Sequence, residues 1–152
     1  MTPVQLYSTN RRAPDVTVRQ AILKGLAEDK GLYMPRTLPR LTPDELEGLR
    51  GATYADVACA VMRHFLHDSL GDDTLRAICA DAYDFPVPLE RCDDTLTILR
   101  LDRGPTAAFK DFAARAMARI MSVYLEEDDR ELLILTATSG DTGSAVANAF
   151  HG

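Results

Sequence analysis

The sequence predicts an α/β protein: a mostly helical N-terminal region, residues 1–94, followed by the beginning of a parallel α/β domain, residues 95–152. Three observations carry this. Over roughly the first 90 residues, apolar side chains recur at helical spacing behind capping residues. From Leu96 the pattern changes to strand, helix, strand, helix, the alternation that builds a parallel sheet with right-handed crossovers. The 152 residues are 46% hydrophobic and 26% charged, enough chain and the right balance for a globular core.

In residues 17–28 (TVRQAILKGLAE), Val18, Ala21, Ile22 and Leu26 form a helical stripe, with Thr17 or Asp15 as its cap. Gly31, Pro35 and Pro39 then impose an extended, turning segment. Thr42-Pro43-Asp44-Glu45 is a helix start: threonine caps, proline suits the first helical position, and glutamate completes a capping box. A helix is expected from about Tyr54 to His67, with Val57, Val61 and Phe65 on one side. Another runs from about Asp73 to Tyr83 and is broken by Phe85-Pro86-Val87-Pro88.

Beyond this, Leu96 to Leu101 (LTILRL) reads as a strand, Gly104-Pro105-Thr106 as a turn, and Ala107 to Tyr124 as a helix. Residues 126–130 form a solvated connector. Leu132 to Thr138 (LLILTAT) reads as a second, buried strand, and Ser144 to Phe150 as a further helix. The two strands are expected to be parallel neighbours, with Lys110 and Ser139 at one edge. A two-stranded parallel sheet needs covering on both faces, so the chain reads as a truncated piece of a larger enzyme.

A net charge of −6 argues against a nucleic-acid partner, which calls for a basic face. No run approaches the ~18 apolar residues of a membrane span. The opening MTPVQLYSTNRRAP lacks the apolar stretch of a secretion signal. No membrane partner and a cytoplasmic location are therefore expected. Cys59, Cys79 and Cys92 form no CxxC pair and read as reduced structural thiols. His64 and His67 lie three apart on a helix with no third ligand nearby, so no metal site is expected. The GxxxxGK[ST] string of nucleotide-binding phosphate loops is absent.

In open α/β sheets, ligands sit where strands end and the next helices begin. Two segments occupy such positions. Gly104 to Lys110 follows the first strand. Ser139-Gly140-Asp141-Thr142-Gly143 follows the second and offers backbone N–H groups and two hydroxyls to a carboxylate or other anion. Lys110 is out of place at a helix start, where cations are disfavoured. A lysine shielded from water there would favour the neutral, nucleophilic amine. On the α/β pattern alone, an exposed, hydrated lysine is the stronger reading. Asp111 reads as a favourable first-turn acid.

The wording of five segments changes that weighting. GPTAAFKDFAAR resembles the cofactor-lysine segment of threonine synthases, and TATSGDTGSAVANAF their next strand, substrate loop and helix. Tyr7-Ser8-Thr9, GLAEDKGLYMP at residues 25–35 and YDFPVPL at residues 83–89 resemble that family's N-terminal region, in family order. The resemblance covers essentially the whole chain. It implies the tryptophan-synthase-β-like fold of pyridoxal-phosphate enzymes. It also implies conversion of O-phospho-L-homoserine and water to L-threonine and phosphate, a lyase step on a phosphorylated amino acid.

By the same resemblance, Lys110 carries pyridoxal 5'-phosphate as a Schiff base. Ser139, Gly140, Asp141, Thr142 and Gly143 bind the substrate carboxylate, Asp141 also approaches the cofactor, and Thr106 is a further substrate contact. Two features depart from the family pattern. Leu101-Asp102-Arg103 stands where the family has an aromatic and a histidine, which leaves open a related lyase with another amino-acid substrate. No glycine-rich loop for the cofactor phosphate occurs in these 152 residues, so the chain alone is expected to be inactive. A catalytically inert piece serving in assembly or binding is the alternative.

Overall fold

A single carboxylate organises the first unit of the structure, Met1–Ala77. The computed structural model describes residues 3–129 and 131–151. Strand β1 (Gln5–Ser8) lies between β2 (Val16–Thr17) and β3 (Tyr33–Pro35), antiparallel to both. Leu6 stands opposite Val16 on one side and Pro35 on the other. Asp29 ties the ends of this sheet together. One carboxylate oxygen accepts from the Ser8 hydroxyl at 2.5 Å and the Gly31 amide at 3.0 Å. The other accepts from the Arg12 and Ala13 amides at 2.9 and 3.1 Å. Ser8 is fully buried. A Cβ at Gly31 would lie 2.1 Å from the Ser8 hydroxyl oxygen, so only glycine fits.

Four helices begin in this unit: α1 (Val18–Lys24), α2 (Pro43–Gly48), α3 (Tyr54–Leu66) and α4 (Asp72–Ala82). The first three open on reciprocal capping boxes, Thr17 with Gln20, Thr42 with Glu45 and Thr53 with Asp56, each satisfying orphan N–H donors of the first turn. Helix α1 stops at Lys24, short of the residue 28 expected from its apolar stripe. Gly25 adopts φ 75°, and the Ala27 and Lys30 amides close a tight turn on Gly31 and Ala27. The three-stranded sheet is absent from the sequence-based expectation of a mostly helical region. Strands of four, two and three residues are too short to display period-two alternation.

The second unit, Ile78–Gly152, contains the end of α4, a hairpin of β4 (Leu89–Arg91) and β5 (Thr97–Leu99), and helices α5 (Asp111–Glu127) and α6 (Asp141–Phe150). Helix α5 buries Ala114, Ala118, Ile120, Met121 and Tyr124. It packs against α6, which buries Ala145.

The expected parallel sheet is not formed. Strand β5, within the predicted Leu96–Leu101 run, pairs antiparallel with β4, Leu89 opposite Leu99 and Arg91 opposite Thr97. Residues 132–138 belong to no strand of either sheet among the described residues. Far from being buried, Leu133 and Leu135 are 79% and 84% exposed. The reason lies in chain connectivity. Residues 92–96 form a turn in which the Asp93 carboxylate accepts from the Thr95 and Leu96 amides at 2.7 and 2.8 Å. Closing that short loop costs roughly 1.5 kcal/mol less in entropy than a crossover of some 30 residues. The sheets present are small and antiparallel, and the chain is a mixed α/β protein.

Asp29 is held down from its ordinary 3.8 to about 2, first by the Ser8 hydroxyl and then by the amides of Arg12, Gly31 and Ala13, against the opposing effect of burial. A depressed carboxylate contributes stability that is present above its unfolded value and lost as pH falls through its folded value. Unfolding midpoints in urea should therefore fall between pH 4 and 2. In Asp29→Asn this pH dependence should be shallower. An unchanged slope in the variant would contradict the role given to Asp29.

Candidate functional site

Lys110 stands where a tight double turn becomes helix α5. The turn is stitched by backbone bonds from Ala107 to Gly104 and from Asp111 to Ala108, both 3.0 Å, before Ala114 bonds Lys110 at 2.9 Å and helical pairing begins. Ala107 adopts φ 54°, a left-handed conformation that costs a residue bearing a Cβ about 1–2 kcal/mol. Asp111 holds this backbone in place. Its carboxylate is fully buried and accepts from the Thr106 amide at 2.9 Å and the Thr106 hydroxyl at 2.6 Å. Gly104 lets it approach, since a Cβ there would lie 2.4 Å from Asp111 Oδ2. Asp111 is thus the closing tie of the loop as well as a first-turn acid.

A second set of contacts fixes α5 to the end of α4. Arg115, almost fully buried, donates to the carbonyls of Ala82 at 2.7 Å and Asp81 at 2.8 Å, and to the Asp84 carboxylate at 2.7 Å. It thereby satisfies carbonyls that a helix end leaves without partners. The Tyr83 hydroxyl donates to the Phe112 carbonyl at 3.2 Å, and Phe85 meets Phe112 edge-on at 5.2 Å between ring centroids. Arg119 pairs with Asp81 one turn further along. Residues 83–85 and residues 112–119 therefore form one interlock around the first two turns of α5.

The Lys110 side chain itself is half-buried, its Nζ 4.5 Å from the centroid of Phe109, which is 62% exposed. Among the described residues its amine makes no ion pair. An amine held only by this ring contact suits attachment to a carbonyl group, although it lacks the dry enclosure expected of a fully shielded lysine.

The second expected segment, Ser139–Gly143, forms the start of α6. Ser139, Gly140, Asp141 and Thr142 are exposed, and Gly143 is half-buried. Thr138 arranges them. Its Oγ1 accepts from the Gly140 and Gly143 amides, both at 3.0 Å, and a Cβ on Gly143 would lie 3.0 Å from that oxygen. Gly140 adopts φ 141°, open to glycine at low cost. The result is a helix start held open to solvent, electrostatically suited to an anion. Because α5 and α6 pack together, both segments belong to one unit.

Other expected positions behave simply. Arg103 is exposed. Its neighbour Asp102 is held at about 2, chiefly by its hydrogen bonds from Arg100, with burial opposing and the Arg103 charge assisting. His64 meets Glu45 at 3.3 Å. Among the described residues no group of three His, Cys, Asp or Glu side chains could hold a metal ion, and Cys59, Cys79 and Cys92 form no disulfide. No helix among them is long and apolar enough to cross a membrane. Sequence reasoning did not identify Thr138, Gly104 or Arg115 as ordering residues. A threonine two residues before a glycine, ready to form a side-chain turn, was the available signal for the first.

A family profile described as threonine synthase N terminus matches residues 5–83. A threonine synthase of Haemophilus influenzae is 37% identical over 149 residues, 98% of this chain and 34% of that protein. The crystal structure of a PLP-bound threonine synthase from Brucella melitensis matches with a TM-score of 0.93 at 37% identity, over 98% of this chain and 33% of that one. The threonine synthase of Escherichia coli matches with a TM-score of 0.88 at 34% identity, over 97% of this chain and 34% of that one. The chain thus spans about a third of the length of the relatives it matches.

Substitutions at two positions test the scaffold. Gly104→Ala should destabilise the second unit by ~1–3 kcal/mol through overpacking against Asp111. Arg115→Met should cost ~1–3 kcal/mol by leaving the buried Ala82 carbonyl unpaired, and Arg115→Lys should not restore it, because one ammonium cannot reproduce the guanidinium fork. Urea unfolding followed by circular dichroism measures both. Changes within about 0.5 kcal/mol, typical of neutral surface sites, would contradict the interlock.

Proposed function

The chain belongs to the threonine synthase family, and we propose that it supplies that family's cofactor lysine and substrate loop. In this reading Lys110 is the point of covalent attachment for pyridoxal 5'-phosphate. Residues 95–152 are the opening part of the catalytic domain. The reaction is conversion of O-phospho-L-homoserine and water to L-threonine and phosphate. The observation that carries the reading is the half-buried Lys110, its amine beside the Phe109 ring, at the end of a loop whose backbone is tied down on Asp111.

When bound, the cofactor supplies an electron sink for carbanion chemistry at the substrate carbons. The work of this chain's own residues is separate. Lys110 contributes an amine able to hold and return a proton beside those carbons. Ser139, Gly140, Thr142 and Gly143 offer the start of α6 to the substrate carboxylate, and Thr138 keeps that turn open. Asp141, exposed in the first turn of α6, faces a positively polarised helix end and is assigned the approach to the cofactor. Arg103, exposed on the loop before Lys110, has a guanidinium suited to the substrate phosphate.

Borohydride reduction of the protein loaded with pyridoxal phosphate, followed by peptide mapping, should place the pyridoxyl group on Lys110. Finding it on Lys24 or Lys30 would overturn the assignment. The 152-residue polypeptide by itself should release no measurable phosphate from O-phosphohomoserine. Positioning errors near 1 Å already cost ~10²-fold in rate, and these residues contain no glycine-rich loop for the cofactor phosphate. Turnover by this polypeptide, abolished in Lys110→Ala, would show that its residues suffice.

A further inference from the structure

We propose that Thr106 and Asp111 are positioning residues for Lys110, and that Thr106 serves the amine by splinting its loop and not by touching substrate. The inference rests on the reading of Lys110 as the cofactor lysine. Thr106 has two polar groups besides its carbonyl, and both are spent on one partner: the amide and the hydroxyl donate to the two oxygens of Asp111 at 2.9 and 2.6 Å. A hydroxyl whose one proton is committed to a fully buried carboxylate cannot donate it to a substrate. Charge-assisted bonds of this length are among the strongest available to neutral donors. Asp111 is the residue after Lys110, so fixing its side chain fixes the backbone from which the lysine departs.

The geometry between the two ends agrees. Thr106 and Asp111 lie five positions apart, and the bridge closes the segment into a ring containing Ala107 at φ 54°. A left-handed alanine persists only where its surroundings hold it. Backbone bonds from Ala107 to the Gly104 carbonyl and from Asp111 to the Ala108 carbonyl anchor the ring, and the absence of a Cβ at Gly104 makes room for Asp111. Loss of the Thr106 hydroxyl would leave the carboxylate one donor short and let the ring relax. Lys110 would then leave from a mobile turn.

Thr106→Val keeps the shape and removes the hydroxyl, and Thr106→Ser keeps the hydroxyl. Two readouts separate positioning from simple stability, with circular dichroism confirming that each variant is folded. The first is independent of cofactor: the ε-amine of Lys110, reductively ¹³C-methylated, should show an NMR ring-current shift from Phe109, whose ring centroid lies 4.5 Å away. The second is the preference of pyridoxal phosphate for Lys110 over Lys24 and Lys30 after borohydride trapping. In Thr106→Val the ring-current shift should vanish and the preference should fall on the order of tenfold or more. Thr106→Ser should retain both. Persistence of either readout in Thr106→Val overturns the positioning role. If the unsubstituted protein shows the ring-current shift but no labelling preference, the cofactor reading fails. The first readout alone then decides the positioning role: loss of the shift in Thr106→Val upholds it, and retention overturns it.

Discussion

The fully buried carboxylate of Asp111 is the constraint on which the candidate site depends. A buried carboxylate is costly unless hydrogen bonds replace its water. Here the Thr106 amide and hydroxyl do so, at the positively polarised start of α5. Meeting that requirement folds the preceding loop back on itself, holds Ala107 in a left-handed conformation, and demands glycine at position 104. The residue that gains most from this arrangement is the one in front of Asp111. Lys110 is delivered to the surface from a backbone with little freedom, its amine unpaired among the described residues.

The same economy recurs elsewhere. Asp29 gathers Ser8, Arg12, Ala13 and Gly31, so Tyr7-Ser8-Thr9 and the segment 25–35 are two sides of one knot. Residues 83–85 grip Phe112 and Arg115, so YDFPVPL and GPTAAFKDFAAR are likewise partners. Four of the five segments that read as separate family strings form two pairwise interlocks in the structure. That is a physical reason for their wording: each supplies donors, acceptors or vacated space that another requires.

Helices α2, α3 and α4 were legible in the sequence because capping residues and apolar stripes are local signals, and Thr42 and Glu45 interact as their spacing implies. The small sheet around β1 was not, because its partners are brought together by Asp29 from 20 or so residues away, leaving no periodic trace. The parallel pairing of residues 96–101 with 132–138 was inferred from element order alone. The competing hairpin had its own signal in Asp93-Asp94-Thr95, a turn sequence just before the apolar run from Leu96. Lys110 could be singled out by its segment's resemblance to a family, whereas the tie between Thr106 and Asp111 needed coordinates: a five-residue separation is neither a helical nor a strand spacing. Thr138, similarly, does its work through two amides that no side-chain pattern reveals.

The most direct test of this account is amide hydrogen exchange at Thr106. Loop amides open to solvent exchange within the fastest class, whereas an amide bonded to a buried acceptor exchanges only when its unit opens. The account predicts that the Thr106 amide is protected to the same degree as the Ala114 amide, which bonds Lys110 in the first turn of α5, and that protection of both is lost together. Exchange of Thr106 as fast as the exposed amides of residues 131–137 would contradict it, since the Asp111 carboxylate would then not be holding the loop that carries Lys110.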